Sequence, residues 1–312
     1  LTDPKPPRWV KMFDYLFLIR PTLMYPIWIF FLSGIWSGRR LHESPQLLPI
    51  HPMIIGTGLT FVMAAIYILN QIQDVNTDRI NRKLFLLCDG HVSIRNAYME
   101  ALFLGPTGII LGFLADVRAG SLLAVLFIFG GYIYSYPPAR MKDRPVGGIL
   151  INGLGGVVNF TLGWMSAGNE GWIPLRSLVY FCGVAAVMLN TTMPDIKGDR
   201  ETGKITFAVK YGVRKTVVWA LVIEIITVIL AYYFQEWIIF YPGLLMVPFF
   251  IYALSKKDIL DVIRATKYSV FFMAIAICVL FPLFLIPVFV IFFGSKWYYK
   301  RRFGLDYPSF KS

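Results

Sequence analysis

The stretch "IIGTGLTFVMAAIYIL" (residues 54–69) contains no charge, and blocks like it recur along the 312 residues of this chain. Runs of about 17 or more apolar residues are long enough to cross a bilayer as helices. Their apolar residues are continuous rather than striped, which excludes the amphipathic helices of an ordinary water-soluble domain. With 57% hydrophobic and 15% charged residues, the chain is expected to be an all-α, polytopic membrane protein. Spans are expected near 15–37, 53–73, 97–115, 121–136, 147–167, 172–193, 216–235, 238–254 and 268–293, nine transmembrane helices forming one domain over residues 1–312.

A net charge of +12 in a soluble protein would suggest nucleic acid, but between spans it reports orientation first. Most of the 30 Lys and Arg fall in loops on the side of the N-terminus, so the N-terminus and the charged loops are expected in the cytoplasm, with no nucleic-acid partner. Nine spans place the basic tail "GSKWYYKRRFGLDYPSFKS" on the other side. The alternative is that Pro282 and Pro287 break the last run into a pair that returns the tail. The opening "LTDPKPPRWVKMFDY" is polar and basic, with no cleavable signal expected ahead of the first span. Cys88, Cys182 and Cys278 lie far apart, without disulfide or metal spacing, and read as packing residues.

Polarity concentrates where spans end. Span two runs into "NQIQDVNTDRINRK", which sets Asn70, Asp74 and Asp78 one helical turn apart on one face. Span six ends in "NTTMPDIKGDRETGKIT", which repeats the spacing with Asp195 and Asp199 and also follows its second Asp with Arg. The chain is therefore expected to contain two related Asp-rich halves facing each other across a bundle. Two carboxylates at that spacing repel unless a divalent cation bridges them, and hard oxygen ligands select magnesium, which completes its shell with water and substrate phosphates. Arg82, Lys83, Arg140, Lys142, Lys197 and Lys204 nearby are more positive charge than four Asp require, and a diphosphate would account for the excess. Helix caps paired with Arg79 and Arg200 would explain one pair but not two alike.

The loop "YIYSYPPARMKDRP" brings Tyr132, Tyr134 and Tyr136 next to Arg140 and Lys142. Interfacial tyrosines usually anchor a helix in the bilayer. Here a ring face could also stabilise a developing carbocation while Lys142 holds the leaving diphosphate. The histidine clusters of a membrane di-iron enzyme or zinc protease are missing, since the chain has only His42, His51 and His91. A P-loop is absent, and Asp89-Gly90 lacks the surroundings of an alcohol phosphatidyltransferase motif.

These residues resemble the UbiA superfamily of intramembrane prenyltransferases along nearly the whole chain. Its first motif, Asn-x-x-x-Asp-x-x-x-Asp, is similar to Asn70, Asp74 and Asp78; its second is similar to Asp195 and Asp199, with Gly203 and Thr206 following. "LIRPTLMY" resembles an early Arg-Pro segment, which implies that Arg20 reaches the site. "YSYPPARMK" looks like the Tyr-Ser-x-Pro-Pro segment of members acting on quinone and tocopherol precursors and chlorophyllide. The chain departs from the pattern at "NRKLFLLCDG", where Phe85, Leu86 and Cys88 replace an Arg and two Pro, although Arg82 and Gly90 match.

The resemblance implies nine helices around a central cavity that opens sideways to membrane lipid, and an enzyme that moves an isoprenyl chain from a prenyl diphosphate to a lipophilic acceptor. It implies magnesium; two ions held by Asp74, Asp78, Asp195 and Asp199 with Asn70 assisting are expected, and no protein partner is expected to be required. Arg20, Arg82, Arg140 and Lys142 are expected to bind the diphosphate, and Tyr134 to face the cation. Asn152, Asn159 and Asn190 are candidates for acceptor contacts. A quinone-precursor-like aromatic acceptor is favoured, and a glycerol phosphate lipid acceptor is the alternative. A transporter would need ionisable residues at mid-span.

Overall fold

The computed structural model describes residues 8–41, 50–81, 85–256 and 259–308, and all regular elements among them are helical. Ten helices make the bundle: α1 (Met24–Leu41), α2 (Ile50–Ile80), α3 (Ile94–Ala115), α4 (Val117–Ile133), α5 (Gly147–Ser166), α6 (Leu178–Thr191), α7 (Phe207–Tyr233), α8 (Trp237–Lys256), α9 (Ile259–Leu280) and α10 (Leu285–Phe303). Eight are long and apolar enough to cross a bilayer, while α4 and α6 are shorter apolar helices. Consecutive helices from α5 to α9 pack on one another, α1 lies against α5, and α9 packs back on α1. The contact of α1 with α5 needs glycine at the crossing, because a Cβ on Gly34 would sit 2.0 Å from the Phe160 carbonyl oxygen and one on Gly163 only 1.8 Å from that of Phe31.

The last apolar run differs from the expectation of a single span over 268–293. It breaks at Phe281, whose backbone (φ −128°, ψ 78°) has left the helical region ahead of Pro282. Proline clashes with a helical residue before it, and that clash is the physical reason for the break. The chain then turns back as α10, so the bundle has ten helices among the described residues where nine spans were expected. The basic end of α10 comes to the N-terminal segment: Tyr298 donates to Asp14 at 2.6 Å, Arg302 pairs with the same carboxylate at 3.1 Å, and Phe17 stacks on Tyr298 with centroids 3.8 Å apart. The tail thus lies on the side of the N-terminal segment, as the alternative reading of Pro282 has it.

Both Asp-rich segments sit at that same end. α2 continues without a break through Asn70, Asp74 and Asp78 to Ile80. α6 stops at Thr191, shortly before Pro194, and a separate short helix, Ile196–Glu201, carries Asp199. Asp199 N–H donates to the Asp195 carbonyl at 2.9 Å, so the second pair keeps its one-turn spacing outside the long helix.

Candidate active site

A cavity of about 520 Å³ runs into the bundle from the aspartate end. Asn70, Asp74, Asp78, Asp195 and Asp199 all line it, as do Arg20, Tyr134 and Lys142. The short helix Ile196–Glu201 reaches the end of α2 because Gly198 lacks a side chain: a Cβ there would lie 2.4 Å from Asn81 Oδ1. Asn81 Nδ2 donates to Asp195 at 3.4 Å and Thr77 meets Thr202 at 3.4 Å, which ties the two Asp segments together. Asp78 and Asp199 are buried, and Thr206 donates to Asp199 at 3.3 Å.

Asp74 is the electrostatic focus. Its Oδ1 takes the ammonium groups of Lys142, at 2.9 Å, and of Lys204. The two lysines come from loops that the backbone joins, since Ile205 N–H donates to the Asp143 carbonyl at 3.0 Å. Burial pushes the Lys142 pKa below the ordinary lysine value, with Asp74 opposing the shift. Two ammonium groups on one carboxylate oxygen repel each other, so an anion entering the cavity finds positive charge ready to be shared.

The expected diphosphate ligands fall into three groups. Arg20 and Lys142 line the cavity. Arg140 is absent from its lining and pairs with Asp143 at 2.9 Å across the turn Met141–Asp143 that carries Lys142. Arg82 lies outside the described residues, and so does Lys83. Arg20 and Arg140 both hold left-handed backbone, φ 57° and 36°, which costs a non-glycine residue about 1–2 kcal/mol. Such strain gathers at sites that position functional groups.

The three tyrosines separate. Tyr134 lines the cavity, while Tyr136 bonds Tyr98 at 3.1 Å and Tyr132, more than half exposed, stacks on Tyr136. Tyr136 N–H donates to the Tyr132 carbonyl at 2.8 Å, one turn back, which puts those two rings on one side of the chain and Tyr134, between them, on the other. The end of α4, Phe127–Ile133, is wound as π-helix just before Tyr134, an irregularity frequent at functional sites. Asn152 and Asn159 line the cavity; Asn190 is buried but is not part of the lining.

Sequence reasoning did not single out three of the features. Lys204 stood only among the nearby basic residues, and its approach to Asp74 joins positions 130 apart. Asp143 lines the cavity beside Lys142. Glu224, within "ALVIEIITVIL", is a buried carboxyl at mid-span, and an intramembrane acid is by itself a signal of function.

Four carboxylates with hard oxygens are a donor set that suits magnesium. Among the described residues no three acidic, histidine or cysteine side chains form a group that could hold a metal alone. An ion here would thus complete its shell with water and substrate oxygens, as magnesium commonly does.

The model of the UbiA prenyltransferase family matches residues 27–276, and the chain belongs to that family. The 2-acylphloroglucinol 4-prenyltransferase of Humulus lupulus is 31% identical over 198 residues, which are 58% of this chain and 47% of that protein, so the chain spans about half the length of this relative. The digeranylgeranylglyceryl phosphate synthase of Sulfurisphaera tokodaii is 26% identical over 266 residues, 82% of this chain and 93% of the other. A UbiA homolog from Archaeoglobus fulgidus, solved bound to GPP and Mg2+, has the same fold, with a TM-score of 0.64 and 22% identity over 85% of this chain and 99% of that one. α10 begins beyond the family match.

Proposed function

We propose that the protein transfers an isoprenyl chain from a prenyl diphosphate to a quinone-precursor-like aromatic acceptor, on the cytoplasmic side of a membrane. The observation that carries this reading is the meeting of both aspartate pairs, Lys142 and Lys204 at one end of an otherwise largely apolar cavity. Asp74, Asp78, Asp195 and Asp199, with Asn70, would hold two magnesium ions. Bound magnesium supplies neutralising charge to the diphosphate.

The chain's own residues do the rest. Lys142, Lys204 and Arg20 bind the diphosphate oxygens, and Arg140 fixes the turn that presents Lys142. The allylic C–O bond breaks with its electron pair going to the diphosphate. The Tyr134 ring faces the positive charge left on the isoprenyl chain. An electron pair of the acceptor forms the new bond, and the acceptor loses a proton to solvent or to the diphosphate. Apolar walls exclude water, which would otherwise capture the cation.

A glycerol phosphate lipid is the second reading for the acceptor, favoured by the length of the match to the Sulfurisphaera synthase. The test is to incubate the purified protein with magnesium, labelled prenyl diphosphates of several lengths, and separate panels of aromatic and glycerol phosphate acceptors. Prenylated aromatic products support the first reading and ether products the second. Absence of transfer to either panel, with donor and metal bound, overturns both.

A further inference from the structure

Glu224 lies on α7 inside the family's matched region, yet the site above gives it no task. It is only 6% exposed, it lines the cavity, and it makes no hydrogen bond or ion pair among the described residues. A carboxyl group in a membrane helix costs several kcal/mol to desolvate when nothing partners it. The neighbouring helix makes room for it: Gly243 of α8 faces it, with the position of an added Cβ only 3.3 Å from Glu224 Oε1. One turn further along α7, Thr227 also lines the cavity and spends its hydroxyl proton on the Ile223 carbonyl at 2.8 Å. Its oxygen is left to accept. Two groups able to accept hydrogen bonds therefore stand side by side on the face of α7 that lines the cavity.

The depth of this pair follows from the helices. Thr227 lies level with Gly183 of α6, because a Cβ there would be 3.6 Å from the Thr227 methyl. From Gly183, α6 runs eight residues, about 12 Å, to Thr191 at the aspartate end. α7 enters from that same end, since Thr206 just before it bonds Asp199, so Glu224 lies about 4.5 Å nearer the aspartates than Thr227. Glu224 thus stands roughly 8 Å inward of Thr191, about one substituted ring away from the diphosphate end.

We infer that Glu224, with Thr227, holds a hydroxyl group of the acceptor and selects a neutral, polyhydroxylated aromatic over carboxylated, phosphorylated or O-methylated compounds. This rests on the transferase reading and assigns acceptor recognition within it. The basic end receives the donor's anion, while deeper in the cavity the Glu224 carboxyl accepts a phenolic O–H, and a second anion held there, away from the lysines, would bear the full cost of desolvation. A methyl ether brings no donor and leaves Glu224 buried without a partner. A site built to bond a hydroxyl rejects the analogue lacking it for that reason.

The test uses the full chain in detergent with GPP and magnesium, and measures equilibrium binding of a trihydroxylated aryl ketone, its O-methyl ethers and a carboxylated analogue. Wild type is expected to prefer the free phenol about tenfold or more. Glu224→Leu should erase that preference and admit the carboxylated analogue, and Glu224→Gln should keep part of it. In all variants the affinity for GPP should stay within about twofold. Glu224→Ala, which only removes atoms, repeats the measurement if the leucine variant is not monodisperse. An equal preference in wild type and variants overturns the inference, as does a loss of GPP affinity in place of acceptor selectivity, which would put the prenyl chain against Glu224. Product formation by wild type in the same samples judges the transferase reading separately, because binding selectivity is read whether or not transfer occurs.

Discussion

At one end of the cavity two lysines crowd onto one oxygen of Asp74. Behind its Tyr180 wall, Glu236, in the turn between α7 and α8, accepts from Ser37 at 2.6 Å, Arg176 at 2.9 Å and Tyr180 at 3.1 Å. Both clusters are buried and charged, but they are satisfied differently. Around Glu236 one acid meets one base, both carboxylate oxygens have protein donors, and Ser37, Arg176 and Tyr180 join three separate segments of chain. Burial holds its carboxyl above the ordinary glutamate value while Ser37, Arg176 and Tyr180 pull it back. The Tyr180 ring lines the cavity, so this network supports its far wall. Around Asp74 the charges are stacked rather than matched, and they face the cavity. A buried network closed on itself specifies structure, whereas one with like charges gathered at an opening is prepared for a ligand.

The most severe way to break this contrast is at the aspartates. Asp74→Ala and Asp195→Ala should each lower prenyl transfer by about a thousandfold or more while leaving a folded protein in detergent. Turnover and size-exclusion profile are the readouts, and near-native turnover in either variant would end the two-metal reading. Glu236→Ala should do the reverse. Stranding Arg176 in a buried site costs about 3–5 kcal/mol, seen as a lower unfolding midpoint, while the protein that remains folded keeps its turnover per molecule. If Glu236→Ala instead stopped turnover at unchanged stability, the far network would belong to the chemistry.

Lys204→Met sharpens the comparison on the donor side. A hydrogen bond to a charged group contributes about 1.5–3 kcal/mol, so affinity for the prenyl diphosphate should fall roughly thirtyfold. Affinity for the acceptor should not change. An unaltered donor Kd would mean that Lys204 serves only to neutralise Asp74.

How much of this was legible in the sequence depended on how locally each feature is encoded. Asn70, Asp74 and Asp78 lie on one uninterrupted helix, so their spacing already fixed their common face. Asp195 and Asp199 kept that spacing because a short helix forms again after the break at Pro194. Pairings between distant segments were not readable: Lys204 with Asp74, Arg176 with Glu236, and Asp14 with Arg302 are set by helix packing, on which no local pattern reports. Arg140 shows how little proximity in sequence reports on a side chain's partner: it was expected at the diphosphate beside Lys142, and in the structure its guanidinium is held by Asp143, three residues on. The tenth helix was readable only as one of two alternatives, because an apolar run broken by Pro282 has the same composition as one that continues.

The smallest expected effect concerns the tyrosines, and it tests the site at its finest grain. Tyr134 and Tyr136 are equivalent in composition and nearly so in position, yet only Tyr134 lines the cavity, while Tyr136 is turned to Tyr98. A ring facing a desolvated cation contributes about 1–2 kcal/mol, so Tyr134→Leu should lower kcat about tenfold. Tyr134→Phe keeps the ring face and should lose much less, which separates a role of the ring from one of the hydroxyl. Tyr136→Leu removes a bond at the outside of α4 and should change kcat less than about twofold, the usual range for a residue that touches no reacting group. Equal losses at the two positions would mean that the loop acts through its packing, and would withdraw Tyr134 from the cation.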